Sequence, residues 1–338
     1  MDREKLSELY KYITNRRSIV LVGHVNPDGD SIGSLCGMRE FLRENNISST
    51  AIVPNRYPDF LAFLDSGGDI LSYRDDRESV DVVIGKADLI ICLDFNSMKR
   101  IDELGEAIGG SSADKVLIDH HLSPDNSFNL IFSQIEVSST CELLYYVLKE
   151  LTEIFPLKKM TKECAVPLYT GMMTDTNNFA NSVRPETFRM AYELLELGVD
   201  KEMVQFKVFS GFSESRMRLM GYMLNERMEI LPEINAAIMI LTKECKERFN
   251  FSDGDSEGFV NLALNIKGVN VSALFTEADE FVRVSLRSKE GFSVNALARR
   301  FFNGGGHEKA AGGKLFMPVD AVREYFVDSM KRYIEESL

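Results

Sequence analysis

The chain has 338 residues, of which 44% are hydrophobic and 27% charged; this excludes a largely disordered protein and leaves room for two domains. Asp and Glu number 52 against 39 Lys and Arg, a formal net charge of −13, which argues against a general coat for duplex nucleic acid or an anionic membrane. There are only four histidines.

The first segment, MDREKLSELYKYITNRR, lacks the apolar stretch of a signal peptide, and no apolar run approaches the roughly 18 residues of a membrane span. Leu6, Leu9, Tyr10 and Ile13 at helical spacing predict a helix over Arg3–Arg17. Ser18–Val22 reads as a buried strand, Asp30–Asn45 as a helix, and Ser49–Val53, Asp88–Leu93 and Lys115–Ile118 as further strands. This alternation predicts βαβ units: an α/β domain with a parallel sheet and helices on both faces. Four helices follow, at Cys141–Leu151, Cys164–Met173, Pro185–Leu197 and Ser213–Leu224. A smaller α+β domain is expected after them, with strands at Ala236–Leu241, Val269–Thr276 and Phe281–Leu286 and helices at Val294–Phe302 and Asp320–Glu336. The expected domains are 1–215, with a linker to about 232, and 233–338. The five cysteines have no C-x-x-C spacing, which disfavours a thiolate zinc site or a redox pair; reduced thiols and a cytoplasmic location are expected.

Four short clusters in the first half carry candidate chemistry. The first is Gly23-His24-Val25-Asn26-Pro27-Asp28-Gly29-Asp30-Ser31, between a strand and a helix. One imidazole and two carboxylates lie there in a turn that could aim Asp28 and Asp30 at adjacent centres; the plainer possibility is a solvated turn with Asp30 or Ser31 capping the helix. Asp94 ends the run Leu89-Ile90-Ile91-Cys92-Leu93, at the strand end where open α/β sheets place ligands. Asp119-His120-His121 follows another strand. One of these histidines could bind a metal while the other faces substrate, with Asp119 orienting an imidazole. Asp175 lies in Met173-Thr174-Asp175-Thr176, where a helical pattern turns polar. A parallel sheet would bring the three strand-end clusters to one edge. His24, His120, Asp28, Asp30, Asp94 and Asp175 then offer two imidazoles and four carboxylates without a thiolate. That donor set suits two hard or borderline divalent ions, Mn²⁺ first, with Mg²⁺ and Co²⁺ as alternatives, and Asp94 as the bridging carboxylate.

In the second half, Arg283, Ser285 and Arg287 share one strand face. The glycine-rich stretch Asn303-Gly304-Gly305-Gly306-His307 is either a turn between helix and strand or a place where backbone N–H groups meet an anion.

The segments G-H-V-N-P-D-G-D-S, L-D-F-N, D-H-H and T-D-T resemble the ordered motifs of the DHH phosphoesterase superfamily. The resemblance implies one metal at His24, Asp28 and Asp94, a second at Asp30, Asp94, His120 and Asp175, and His121 facing the substrate phosphate. Arg287-Ser288 followed by G-G-G-H resembles the DHHA1 substrate-binding domain, which implies that Arg287 and His307 contact a terminal phosphate or nucleotide with Gly305 and Gly306 nearby. Motif order and length are most similar to the nanoRNase A group. That likeness implies hydrolysis of very short single-stranded RNA in a cleft between domains, and dephosphorylation of adenosine 3′,5′-bisphosphate. Two departures stand out: Asn177, where relatives often carry Gly, and Phe95-Asn96 after Asp94.

Other readings compete with it. Gly29-Asp30-Ser31-Ile32-Gly33 matches the G-x-S-x-G of serine hydrolases, although the long turn from Gly23 to Gly29 separates it from the strand. A non-catalytic nucleotide sensor, or a related enzyme acting on pyrophosphate, polyphosphate or pApA, would use similar motifs.

Overall fold

The structure, a computed structural model, describes every residue except Asp253, Glu290 and Leu338. Internal packing divides the chain into two compact units, Met1–Gly211 and Phe212–Leu338.

The first unit is built on strands β1 (Ile19–Val22), β2 (Ser49–Val53), β3 (Leu71–Ser72), β4 (Leu89–Leu93), β5 (Asp114–Asp119) and β6 (Leu130–Ser133). They lie in the order β3-β2-β1-β4-β5-β6, with every pair parallel. Around them run α1 (Arg3–Asn15), α2 (Gly29–Glu44), α3 (Arg77–Lys86), α4 (Leu104–Gly110), α5 (Thr140–Ile154), α6 (Lys162–Asp175), α7 (Pro185–Glu196) and α8 (Lys201–Phe209). Successive strand residues feed opposite cores. Ile19, Leu21, Leu89, Ile91, Leu93, Val116 and Ile118 join the core with α1, α2, α5 and α6. Val20, Val22, Ile90, Cys92 and Leu117 pack with Val80 and Ile84 of α3 and with Leu104 and Ile108 of α4. The parallel sheet with helices on both faces is therefore as the sequence predicts. The short strands β3 and β6 and the weakly apolar α3 escaped the periodicity.

This strand order reverses between β1 and β4, where open α/β sheets place their ligands. His24 follows β1 and Asp94 follows β4, so the switch point lies between them.

Beneath the site, α2 and α6 cross closely. A Cβ at Gly33 would lie 2.6 Å from the Pro167 carbonyl oxygen, one at Gly37 2.6 Å from Leu168 Cδ2, and one at Gly29 2.3 Å from Thr174 Oγ1. Gly29, Gly33 and Gly37 recur every fourth residue and form the face of α2 that lets α6 approach. The G-x-S-x-G match is thus partly a packing stripe. Ser31 itself is buried, and its Oγ accepts the His24 backbone N–H at 3.3 Å.

The second unit contains β7 (Met228–Leu231), β8 (Ala236–Leu241), β9 (Val271–Glu277), β10 (Val282–Ser288), β11 (Gly305–Gly306) and β12 (Ala310–Leu315). Their order is β11-β12-β10-β9-β8-β7, with β8 and β9 parallel and the other pairs antiparallel. One face packs on α12 (Val294–Phe301) and α13 (Val322–Ser337). The other carries α9 (Glu214–Tyr222), α10 (Lys243–Arg248) and α11 (Phe259–Leu262). The sequence reading grouped Ser213–Leu224 with the helices of the first half. In the structure, Leu219 and Met223 share a core with Ala237, Met239 and Leu274, so α9 belongs to the second unit. Its apolar pattern is locally helical and does not encode which sheet it covers.

Candidate metal centre

Each element of the first unit delivers its donor at an end. Asp28 is the N-cap of α2, its Oδ1 accepting the N–H groups of Asp30 and Ser31 at 3.1 Å each. The cap is therefore Asp28, where the sequence suggested Asp30 or Ser31. Asp30 sits in the first turn of α2, Asp119 ends β5, and Asp175 ends α6. Asp94 leaves β4 with φ at +66°, a left-handed conformation that Asp tolerates better than most residues.

Ligating atoms of His24, Asp28 and Asp94 lie within 4.8 Å of one another, and so do those of Asp30, His120 and Asp175. His24 Nε2 is 3.4 Å from Asp94 Oδ2 and 3.6 Å from Asp28 Oδ1. His120 Nε2 is 3.2 Å from Asp175 Oδ2, 3.7 Å from Asp94 Oδ1 and 3.8 Å from Asp30 Oδ2. The two oxygens of Asp94 thus face the two groups separately. His24 Nδ1 lies 2.8 Å from the Val25 carbonyl oxygen, which fixes its proton there and turns Nε2 toward the carboxylates. His121 Nδ1 lies 2.7 Å from Asp119 Oδ1, and its backbone N–H reaches Asp119 Oδ2 at 3.1 Å. Asp119 therefore orients His121.

The buried charges perturb one another. Burial works against a charged His24 ring, but Asp28 and Asp94 outweigh it and raise its pKa to about 10. Burial likewise opposes charge on His120, while Asp175, Asp30 and Asp94 lift it to about 10. Burial and the neighbouring Asp94 and Asp175 push the Asp30 carboxyl well above its usual range. Burial also raises Asp175, against the pull of His120. His121 goes the other way: burial and then Arg100 hold it well below its usual value, so it is neutral near pH 7. Asp30 and Asp175 shifted up, Asp28 and Asp94 shifted down, and two imidazoles held charged are the response expected where four carboxylates share protons without cations. Divalent ions would displace the imidazole protons. The oxygen and imidazole donors fit two hard or borderline divalent ions.

Sequence reasoning missed the N-terminus of α5. The N–H of Thr140 donates to Asp30 Oδ2 at 2.6 Å, and that of Cys141 to Asp30 Oδ1 at 2.9 Å. The Thr140 hydroxyl donates to Asp94 Oδ1 at 2.9 Å. A signal was present: Ser139-Thr140-Cys141-Glu142 has the S-x-x-E spacing of a helix start. Ser139 Oγ accepts the Glu142 N–H at 2.9 Å, while the Glu142 carboxylate binds Ser138, Thr187 and Arg184 instead of closing the box.

The two sequence departures have structural reasons. Asn177 has φ at +46°, the region where glycine is at ease and Asn is tolerated. Phe95 is fully buried beside β4, and Asn96 Nδ2 donates to the Leu122 carbonyl at 2.6 Å, tying the Asp94 turn to the loop after His121.

In the second unit, Arg287 stands opposite Ala310 in the β10–β12 pair, and Ala310 exchanges backbone hydrogen bonds with His307 at 2.7 and 3.3 Å. The sheet thus brings Arg287 and His307 to one neighbourhood. Gly305 and Gly306 form β11, facing Gly312 and Ala311. The Gly306 N–H donates to the Asn295 side chain at 3.1 Å. A Cβ at Gly304 would lie 1.8 Å from the Gly312 carbonyl oxygen, so tight hairpin packing already demands glycine there.

Fold and site together place two groups of carboxylate and imidazole donors that could hold divalent metal at the switch point of a parallel sheet, the setting of a metal-dependent hydrolase. The chain matches the DHH family, N-terminal domain, over residues 18–172 and the DHHA1 domain over residues 234–336. It is 29% identical over 321 residues to the bifunctional oligoribonuclease and PAP phosphatase NrnA of Bacillus subtilis, covering 94% of this chain and 95% of that protein. To the NrnA of Thermus thermophilus it is 30% identical over 303 residues, covering 88% and 84%. The crystal structure of an exopolyphosphatase-related protein from Bacteroides fragilis aligns with a TM-score of 0.90 and 40% identity, over 98% of this chain and 97% of that one. The chain belongs to the DHH phosphoesterase family, with a DHHA1 domain after its DHH domain, and is an enzyme of that class.

Proposed function

We propose that this enzyme hydrolyses very short oligoribonucleotides to mononucleotides and removes the 3′ phosphate of adenosine 3′,5′-bisphosphate, with two Mn²⁺ ions as its cofactors. The observation that carries the reading is the pair of donor groups facing opposite oxygens of Asp94. His24, Asp28 and Asp94 would hold one ion; Asp30, Asp94, His120 and Asp175 would hold the other. Bound there, two divalent ions supply the positive charge and Lewis acidity that activate water and stabilise an in-line phosphoryl displacement.

The chain's own groups do the rest. Asp119 holds the proton of His121 on Nδ1 and keeps that ring in one orientation. His121 faces the phosphate under attack, while the charge on the phosphate oxygens falls to the bound ions. In the second unit, Arg287, Gly305, Gly306 and His307 bind a terminal phosphate or nucleotide. Burial of His24, Asp30, Asp94 and His120 strengthens the charge interactions among them. Two curated relatives named for both activities support the substrate class. A cytoplasmic site of action goes with short RNA as substrate; among the described residues no helix is long and apolar enough to cross a membrane.

The test is a hydrolysis panel with Mn²⁺: dinucleotides, longer RNA, adenosine 3′,5′-bisphosphate, pApA and pyrophosphate. Turnover of dinucleotides and the bisphosphate, abolished in Asp94→Ala and His120→Ala, is expected. Preference for pyrophosphate over every nucleotide overturns the substrate assignment, and turnover unaffected by either substitution overturns the site.

A further inference from the structure

The turn after β4 carries a cation that the reading above does not use. Met98–Ile101 forms one 3₁₀ turn, capped by Ser97. It is pinned from two sides. The Val25 N–H donates to the Arg100 carbonyl at 2.9 Å, one residue from His24. The Met98 N–H donates to Asp125 Oδ2 at 3.3 Å, and the Asp125 N–H to the Asn96 carbonyl at 2.8 Å. Residue 100 is thus held between the His24 turn and the loop that follows His121.

The Arg100 side chain is half-buried. Its positive charge opposes protonation of His24 and His121 and favours the ionised form of Asp28. Yet among the described residues its guanidinium makes no hydrogen bond or ion pair. A guanidinium whose charge reaches a cluster of carboxylates can form a bidentate pair with one of them. Arg100 pairs with none, so its planar fork of donors is available to an anion from solution. A surface arginine bathed only in water would explain the missing partner, but neither the pinned backbone nor the charge felt by three groups of the centre.

We propose that Arg100 is a substrate-contacting residue, whose guanidinium donates to a non-bridging oxygen of the phosphoryl group held beside His121. The inference rests on the reading of this centre as a phosphoesterase site. It gives the first unit a phosphate clamp of its own, separate from Arg287 and His307. It also predicts discrimination: an anionic phosphate gains from the clamp, and a neutral ester of the same shape does not.

The experiment compares wild type, Arg100→Gln and Arg100→Lys. Because the Arg100 carbonyl, not its side chain, holds the turn, thermal stability should match wild type in both variants, and Mn²⁺ affinity by calorimetry should not fall, since removing a nearby positive charge does not weaken cation binding. Inorganic phosphate is then titrated into each Mn²⁺-loaded protein. Arg100→Gln should bind it about tenfold to a hundredfold more weakly, with Arg100→Lys in between. Where the protein turns over nucleotides, kcat/KM should fall by a similar factor. Phosphate affinity of Arg100→Gln within about twofold of wild type, or no phosphate binding by wild type, overturns the inference. A loss of Mn²⁺ affinity or of stability in Arg100→Gln also overturns it, in favour of a structural role. If the Mn²⁺-loaded wild type hydrolyses no nucleotide, the functional reading fails, and the phosphate titration still decides the role of Arg100.

Discussion

The backbone N–H of Thr140 lies 2.6 Å from Asp30 Oδ2 and that of Cys141 2.9 Å from Oδ1, so one carboxylate is seated on the N-terminus of a 15-residue helix. Those orphan donors and the helix dipole favour the ionised carboxylate, the form a metal requires. The same Thr140 holds Asp94 through its hydroxyl. Thr140→Val keeps the N–H and removes the hydroxyl. Mn²⁺ affinity measured by calorimetry should fall about tenfold to a hundredfold, as for other groups that orient metal ligands. Unchanged affinity would show that Asp94 is held by its strand alone.

Metal and stability should be linked in the first unit. Four carboxylates and two imidazoles converge there, and ions that bind only the folded chain stabilise it by mass action. At free Mn²⁺ about a hundredfold above its dissociation constant, the gain is about 2.7 kcal/mol, or about 5–10 °C in the melting of a unit of this size. EDTA should reverse the shift, and Asp94→Ala should abolish it. A melting transition of the first unit that ignores Mn²⁺ would contradict the proposed site.

Away from the site, Asp65 gives a pH signature. Its buried side chain accepts from Arg39 at 2.8 Å, Tyr57 at 3.0 Å, Ile70 N–H at 3.1 Å and Asp69 N–H at 3.2 Å. Burial alone would raise its pKa, but Arg39, the Ile70 amide and Tyr57 outweigh it and hold the carboxyl below its ordinary 3.8. The folded state therefore binds this proton less readily than the unfolded one. The stabilisation is fully present above about pH 4–5 and is lost as pH falls through the lowered value. Asp65→Asn should cost about 1–3 kcal/mol in denaturant at pH 7 and progressively less below pH 4. A difference constant with pH would mean that charge at Asp65 is unimportant.

Two glycine substitutions should move stability in opposite directions. Gly85 in α3 has open space where its Cβ would stand, so Gly85→Ala should gain about 0.5–1 kcal/mol. Gly33→Ala has the same helix preference behind it, but its Cβ would meet the Pro167 carbonyl oxygen at 2.6 Å. The backbone of α6 must move, at about 1–3 kcal/mol. Because Asp30 rides on α2 and Asp175 on α6, Mn²⁺ affinity should fall as well. Thermal melting and calorimetry on the two variants check both signs; a Gly33→Ala variant as stable as wild type would show that the helix crossing yields freely.

Local pattern alone carried most of the secondary elements and named the donor residues that the fold brings together. Strands such as Ser49–Val53 and Ala236–Leu241 announce themselves by their apolar runs, and His24, Asp28, Asp30, Asp94, His120 and Asp175 stand at element ends that periodicity can locate. Periodicity is a property of neighbours along the chain, so it is silent where the cause lies across the fold. The reversal of the sheet between β1 and β4, and the packing of α9 on the second sheet, came from long-range packing. Likewise, Gly33 is required by a carbonyl 134 positions away, and Thr140 reaches both Asp30 and Asp94. Those contacts depend on which surfaces meet, and that is settled by burying apolar faces over the whole domain, not by any local pattern.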